Sequence, residues 1–243
     1  MPGVLVFDIE TVPDPDLLAN ETAMRPEREG IPKIPFNQVI LAGAATLAEL
    51  PDDSYRFERL EILGGTEADI LARFWKLAED KKLVSFNGRS FDLPVLEARS
   101  LRHGLALPWY FATDSVREDK TRHLDLLDFL SNGEPRNRAR LDEYCKLVGL
   151  PGKMGIDGGQ VASLFAQARY EELSAYCAMD VLQTLGLFLR VQRLRGAVEP
   201  TAFAETLRGV RAAIEQRAAD GAGLERERLQ AFLRQSEPFW AAG

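Results

Sequence analysis

Asp8 and Glu10 place two carboxylates two positions apart, directly after the apolar run Val4-Leu5-Val6-Phe7. Side chains two apart on a strand share a face, so both acids project together from the strand's carboxyl end. Acids so placed repel one another unless something positive separates them. Hard divalent cations such as Mg²⁺ or Mn²⁺ take carboxylate and water oxygens and would do so. Alone, Asp-x-Glu is common, and a solvated strand end is the better reading of the pair by itself. A third acid, Asp92, closes the string Asn87-Gly88-Arg89-Ser90-Phe91-Asp92 and precedes Leu93-Pro94. It falls in the first turn of a helix, where a carboxylate also serves the helix dipole. Gly88 frees the turn, Phe91 can wedge against a base or a sugar, and Pro94 lies early enough in the helix to be tolerated. Tyr176 and Asp180 are four apart on a helical stretch and share a face, about 6 Å apart along the axis. Leu173, Cys177, Val181 and Leu185 form the neighbouring core-facing stripe. That helix alone also reads as a half-buried tyrosine with an exposed aspartate.

For these groups to meet, a strand through residue 8 and two helices, near residues 92 and 180, must converge. Val4 to Phe7 is apolar on both faces, the pattern of a central strand buried between layers. Residues 13–37 carry Pro13, Pro15, Pro26, Pro32 and Pro35 and read as a long irregular insertion. Val39 to Leu47 and Tyr55 to Leu63 read as strands. Thr66 is the N-cap of a helix to about Asp80. A short strand from Leu83 to Phe86 ends in Asn87-Gly88, and a helix follows from about Phe91 to His103. His123 to Leu130 fits a strand or a short helix. Arg138 to Val148, Asp157 to Ala168 and Glu171 to Arg195 are helical, and Thr201 to Trp240 reads as two helices broken near Asp220 to Gly223. Strands crowded into the first half and helices into the second indicate an α/β sandwich with a mixed sheet.

The 243 residues suffice for one sizeable α/β domain. No apolar run approaches the ~20 residues of a membrane helix, and no basic lead or cleavage site precedes the first strand, so no membrane partner is expected. The two cysteines, Cys145 and Cys177, show neither metal spacing nor a disulfide framework. A cytoplasmic location fits. The net charge of −7 argues against a tight non-specific coat on long nucleic acid. It does not argue against an enzyme that grips one strand end, because bound cations reverse the local field.

The order Asp-x-Glu, Asn-x-x-x-Phe-Asp and Tyr-x-x-x-Asp resembles the DEDD exonucleases of the tyrosine subtype. More closely, the chain is similar to the predicted 3′–5′ exonucleases related to the proofreading domain of family B DNA polymerases. The likeness rests on Phe7 to Thr11, Ser85 to Pro94, His123 to Leu126, Leu150 to Met154 and Tyr176 to Asp180. It implies a ribonuclease H-like mixed sheet flanked by helices, with extra C-terminal helices. Residues 1–195 would form the exonuclease domain, with 196–243 a helical extension packed on it. It implies two divalent cations, Mg²⁺ or Mn²⁺, on Asp8, Glu10, Asp92 and Asp180, with Asp8 bridging, Glu10 and Asp180 completing one site and Asp92 holding the other. It makes Tyr176 the residue that orients the attacking water. A phenol with a pKa near 10 is a poor base at neutral pH, so its role is positioning. Thr11, Asn87 and Phe91 are the implied contacts to the 3′ end of a single strand, DNA favoured. Arg136, Arg138 and Arg140 form a small basic cluster that meets phosphates or is a solvated loop.

His123 and Asp128 have the His-x-x-x-x-Asp spacing of the histidine subtype. His123 comes only 31 positions after Asp92, too early for the terminal motif, and reads as structural, as does His103. The rival readings are an oligonucleotide- or RNA-degrading phosphodiesterase, a silent nucleic-acid-binding module, and a purely structural domain that leaves the matched positions unexplained.

Overall fold

The structure, a computed structural model, describes residues 3–19, 32–112, 122–156 and 158–241. In chain order its elements are β1 (Gly3–Pro13), α1 (Pro15–Ala19), β2 (Asn37–Glu49), β3 (Tyr55–Leu63), α2 (Glu67–Ala78), β4 (Lys81–Ser85), α3 (Asp92–Arg102), β5 (His123–Asp125), α4 (Leu126–Ser131), α5 (Leu141–Leu147), α6 (Val161–Ala166), α7 (Tyr170–Leu194), α8 (Pro200–Asp220), α9 (Gly223–Gln235) and α10 (Glu237–Trp240). Among the described residues the sheet has five strands in the order β3-β2-β1-β4-β5. β1 pairs antiparallel with β2 and parallel with β4, β2 pairs antiparallel with β3, and β4 pairs parallel with β5. This is a mixed sheet flanked by helices, as the order of strands and helices in the sequence predicts.

The alternation along β1 decides which face carries the acids. Leu5, Phe7 and Ile9 enter a core with Ile70, Phe74 and Trp75 of α2 and Val95 and Leu96 of α3. Val4 and Val6 enter the opposite core with Leu182, Leu185 and Phe188 of α7. Period two then sends Asp8 and Glu10 to the α7 side. The strand differs from expectation in one respect. The acids are not at its end, because pairing with β2 runs on to Pro13↔Asn37, with a bulge between Glu10 and Thr11. What stops is the parallel pairing with β4, whose last partners are Val6↔Val84. Beyond that point the two strands part, and the acids line the fork.

Other boundaries also moved. The insertion after β1 is not wholly irregular: α1 and a 3-10 turn at Ile34–Phe36 frame it, and Pro26 lies outside the described residues. The buried Arg99 side chain binds both of its ends, donating to Asp14 Oδ2 at 2.7 Å and to the Pro35 carbonyl at 3.3 Å. Arg99 also donates to both oxygens of Glu67 at 2.7 and 2.6 Å, and His103 Nε2 bonds Glu67 at 2.8 Å. The segment from His123 is both a strand and a helix, because Asp125 caps α4 by accepting from Leu127 and Asp128. The helix expected from Arg138 starts at Leu141. Asp157, the expected start of the next helix, lies outside the described residues, and α6 begins at Val161. The C-terminal stretch holds a third, short helix, α10.

Residues of α8, α9 and α10, among them Phe203, Leu207, Phe232 and Phe239, share one core with β1, β2 and α7. The Tyr55 N–H donates to Thr206 Oγ1 at 3.0 Å and Arg217 donates to the Leu60 carbonyl at 2.6 Å, tying α8 to β3. No described helix is long and apolar enough to cross a membrane.

Candidate active site

Asp8, Glu10, Asp92, Tyr176 and Asp180 line one open cleft of about 540 Å³, together with Asn87, Phe91 and residues 138–141. Each side chain arrives by a different route. Asp8 and Glu10 come from β1 past the fork. Asp92 opens α3, and its Oδ1 accepts the Ile9 N–H at 3.2 Å. That bond fixes the helix start to the strand carrying the other two acids. Tyr176 and Asp180 come from one face of α7, and the Tyr176 hydroxyl donates to the Asp180 carboxylate. Thr11, half-buried beyond the bulge, is not among the residues lining the cleft.

Two glycines set close approaches. Gly43 is paired with Asp8 across the β1–β2 ladder. A Cβ there would stand 2.6 Å from Val181 Cγ2 and 2.8 Å from Cys177 Sγ, so α7 lies against bare backbone. A Cβ at Gly88 would meet Ser85 Oγ at 2.3 Å. Next to it, Asn87 takes a left-handed conformation with φ 67°, which asparagine tolerates better than most residues. Asp125 pins this turn, accepting the N–H groups of Asn87 and Arg89, each at 2.9 Å. Asp125 lies within the motif His123 to Leu126 and carries no assigned role there. Its signal was the capping position ahead of an apolar helix.

The electrostatics are those of a site short of positive charge. Burial pushes Asp8 well above the usual carboxylate range, and the carboxylates of Asp92, Glu10 and Asp180 add to the rise. Burial does the same to Glu10, helped by Asp180 and Asp92. Asp92 is raised to about 7, by burial first, against the lowering effect of its backbone hydrogen bonds. Asp180 is raised to about 6 by burial, moderated by the Tyr176 hydroxyl and by Lys153. Burial and the surrounding carboxylates drive the Tyr176 phenol far above its ordinary value, so it stays protonated. Glu10 Oε1 is buried without a hydrogen-bond partner among the described residues. An orphaned carboxylate oxygen among carboxylates that resist ionisation is the deficit a divalent cation fills. The donor set fits one.

His123 goes elsewhere. It is buried and bonded to Ser85 Oγ at 2.9 Å, and burial, with Arg89, lowers it to about 3. With Asp128 it lines a separate cleft of about 650 Å³. Of the basic cluster, Arg138 and Arg140 line the acidic cleft and Arg136 does not. Arg136 pairs with Glu134 at 3.3 Å and Arg138 with Asp128 at 3.1 Å. A smaller pocket of about 140 Å³ adjoins the cleft through Arg140, Leu141, Tyr176 and Asp180 and adds Lys153, Met154 and Arg228. Arg228 of α9 donates to the Met154 carbonyl. Neither Lys153 nor Arg228 was assigned a part from the sequence.

A family model described as a predicted 3′–5′ exonuclease related to the exonuclease domain of PolB matches residues 32–236. The matched span contains Asp92, Tyr176 and Asp180 and begins after Asp8 and Glu10. DNA polymerase 1 of Saccharolobus solfataricus is 30% identical over 131 residues, which are 50% of this chain and 15% of that protein. Among solved structures, the family B DNA polymerase of Pyrobaculum calidifontis is similar at a TM-score of 0.46 and 14% identity, over 100% of this chain and 46% of that one. An ExoI/SSB-Ct complex is similar at a TM-score of 0.48 and 15% identity, over 87% of this chain and 44% of that one. The chain therefore spans a minor part of each of these relatives.

Proposed function

This chain belongs to the predicted 3′–5′ exonucleases related to the exonuclease domain of PolB, and from that membership we propose that it removes nucleotides from the 3′ ends of single-stranded nucleic acid, DNA favoured. The observation that carries the reading is the convergence of four carboxylates and Tyr176 in one open cleft. Asp8, Glu10, Asp92 and Asp180 would hold two divalent cations, Mg²⁺ or Mn²⁺. Bound cations supply positive charge to the phosphate undergoing attack and to the leaving oxygen, and make a nearby water more acidic.

The protein's own groups do the positioning. Tyr176 keeps its proton, donates its O–H in a hydrogen bond to Asp180, and presents its oxygen to the attacking water as an acceptor. Phe91 stacks on the terminal base or sugar, a contact that tolerates any sequence. The Asn87 amide meets the end nucleotide from a turn held rigid by Asp125. The backbone near Thr11, one residue beyond Glu10, is the remaining contact. Arg138 and Arg140 face the strand's phosphates at the cleft wall.

The test is hydrolysis of 5′-labelled single-stranded DNA and RNA by the metal-free protein with and without added Mg²⁺ or Mn²⁺. Stepwise loss from the 3′ end is expected only with the ions. Asp8→Ala and Asp180→Ala should abolish it, and undiminished hydrolysis by Asp8→Ala would sink the assignment. Preference for RNA in the same panel would replace DNA as the substrate.

A further inference from the structure

Cys177 occupies the core-facing stripe of α7, yet its sulfur is also part of the acidic centre. Cys177 Sγ and one carboxylate oxygen each from Asp8 and Glu10 lie within 4.8 Å of one another. The helix is brought that close by Gly43, the strand partner of Asp8, whose missing side chain leaves room for the sulfur. Burial and the carboxylates of Glu10, Asp8 and Asp180 hold the Cys177 thiol well above its ordinary range, against the weaker pull of the Gly43 N–H, so the sulfur carries its proton until a metal displaces it. A second observation points independently to a ligand. Glu10 is only 6% exposed, and its Oε1 lacks a partner among the described residues.

Sulfur changes which ions this corner can hold. Hard cations bind oxygen and gain little from a thiol, whereas Zn²⁺ and its heavier relatives bind thiolate and carboxylate together. Resting on the reading that Asp8 and Glu10 hold cations, we propose that Cys177 is a sulfur donor to the same centre, which makes it a site for thiophilic divalent cations of the Zn²⁺ and Cd²⁺ class. On binding, the S–H bond breaks, its electron pair goes to the metal and the proton leaves to solvent; nothing is oxidised or reduced. Cys177 is fully buried and does not line the cleft, so an ion bonded to it would sit behind the cleft wall, beside Asp8 and Glu10. There it takes oxygens that Mg²⁺ or Mn²⁺ would use, and so competes with them.

The test is spectroscopic. Metal-free, full-length protein is titrated with Co²⁺ and with Cd²⁺, and the ultraviolet sulfur-to-metal charge-transfer band is followed alongside calorimetric affinities for Cd²⁺ and Mg²⁺. The wild type should show the band. Because the chain has only two cysteines, Cys145→Ser should keep it and Cys177→Ser should lose it. In Cys177→Ser the ratio of Cd²⁺ to Mg²⁺ affinity should fall by about 10–100-fold, at least what losing a supporting partner costs a metal site. No band in the wild type, or a band that survives Cys177→Ser, overturns the proposal. If Cys177→Ser does not fold, a band retained by Cys145→Ser still assigns it to Cys177, and a band lost there overturns the assignment. Wild-type protein with the band but no Mg²⁺-dependent hydrolysis would refute the exonuclease reading alone. Hydrolysis without the band would refute this proposal alone.

Discussion

Asp92 accepts a hydrogen bond from the strand that carries Asp8 and Glu10, so the acids are held together against their mutual repulsion. Carboxyls raised on folding favour the folded state while protonated. That contribution is complete below the ordinary carboxylate range near about pH 4. It is lost as pH rises through about 6 for Asp180 and about 7 for Asp92. The melting temperature of metal-free protein should therefore fall between about pH 5 and about pH 8. Mn²⁺ at about a hundred times its Kd should restore about 2.7 kcal/mol. Glu10→Gln should raise the metal-free melting temperature at the upper pH and blunt the response to Mn²⁺. A pH-independent melting curve, measured calorimetrically with chelator present, would contradict this. Tyr176→Phe keeps the ring and loses the hydroxyl, so kcat should drop on the order of 100-fold while calorimetric Mn²⁺ affinity holds. At this scale the sequence was informative: the spacing of two on a strand and of four on a helix already placed Asp8 with Glu10 and Tyr176 with Asp180. Asp125 and Cys177 were not legible. The N–H groups that Asp125 accepts at Asn87 and Arg89 lie 38 and 36 positions away, and Cys177 fitted an apolar stripe too well to suggest a second role.

Among the elements, the tie between α2, α3 and the segment after β1 carries the largest electrostatic stake. Arg99 is 2% exposed and holds Asp14 and Glu67, themselves buried, at 2.7 and 2.6 Å. Among the described residues, Arg99→Ala leaves Asp14 with only Arg102 as a basic partner, at 3.8 Å, and Glu67 with only His103, at 2.8 Å, and losing the shared buried cation should cost about 3–5 kcal/mol. A fall in the urea midpoint at unchanged slope would report it; an unchanged midpoint would mean the tie contributes nothing. The strands and main helices were readable from periodicity because each buries a continuous stripe. Their junctions were less so. β1 runs past Glu10 because β2 continues to pair with it, and pairing to a distant strand leaves no mark in local alternation. The Arg228 bond to the loop at Met154 spans 74 positions and is equally silent in the sequence.

Across the whole molecule, the C-terminal helices are part of the core. Phe203, Leu207, Phe232 and Phe239 are buried with Val4, Val6 and Phe188. Deleting residues 196–243 would expose that surface, so the truncated chain should lose its cooperative thermal transition and aggregate. A sharp, wild-type-like melt of residues 1–195 would show the extension to be dispensable. The layering was legible as strands first and helices after, whereas the share of the core supplied by the last helices was not, because equal numbers of arginines and acids there mask the apolar positions. Where the helical layer meets the sheet, the contact is set at Gly43 by an absent methyl group. Gly43→Ala would push α7 outward, since Val181 Cγ2 and Cys177 Sγ cannot both stay within 3 Å of a new carbon. Asp180 rides on α7 and Asp8 on β1, so such a spacer would widen the gap between the proposed carboxylate ligands without replacing any of them, and would move Cys177 Sγ away from Asp8. A wider jaw suits a larger ion, and Gly43→Ala should shift the relative activation by Mg²⁺ and Mn²⁺ toward Mn²⁺. A residue with no side chain thus works as the gauge block of the proposed metal centre.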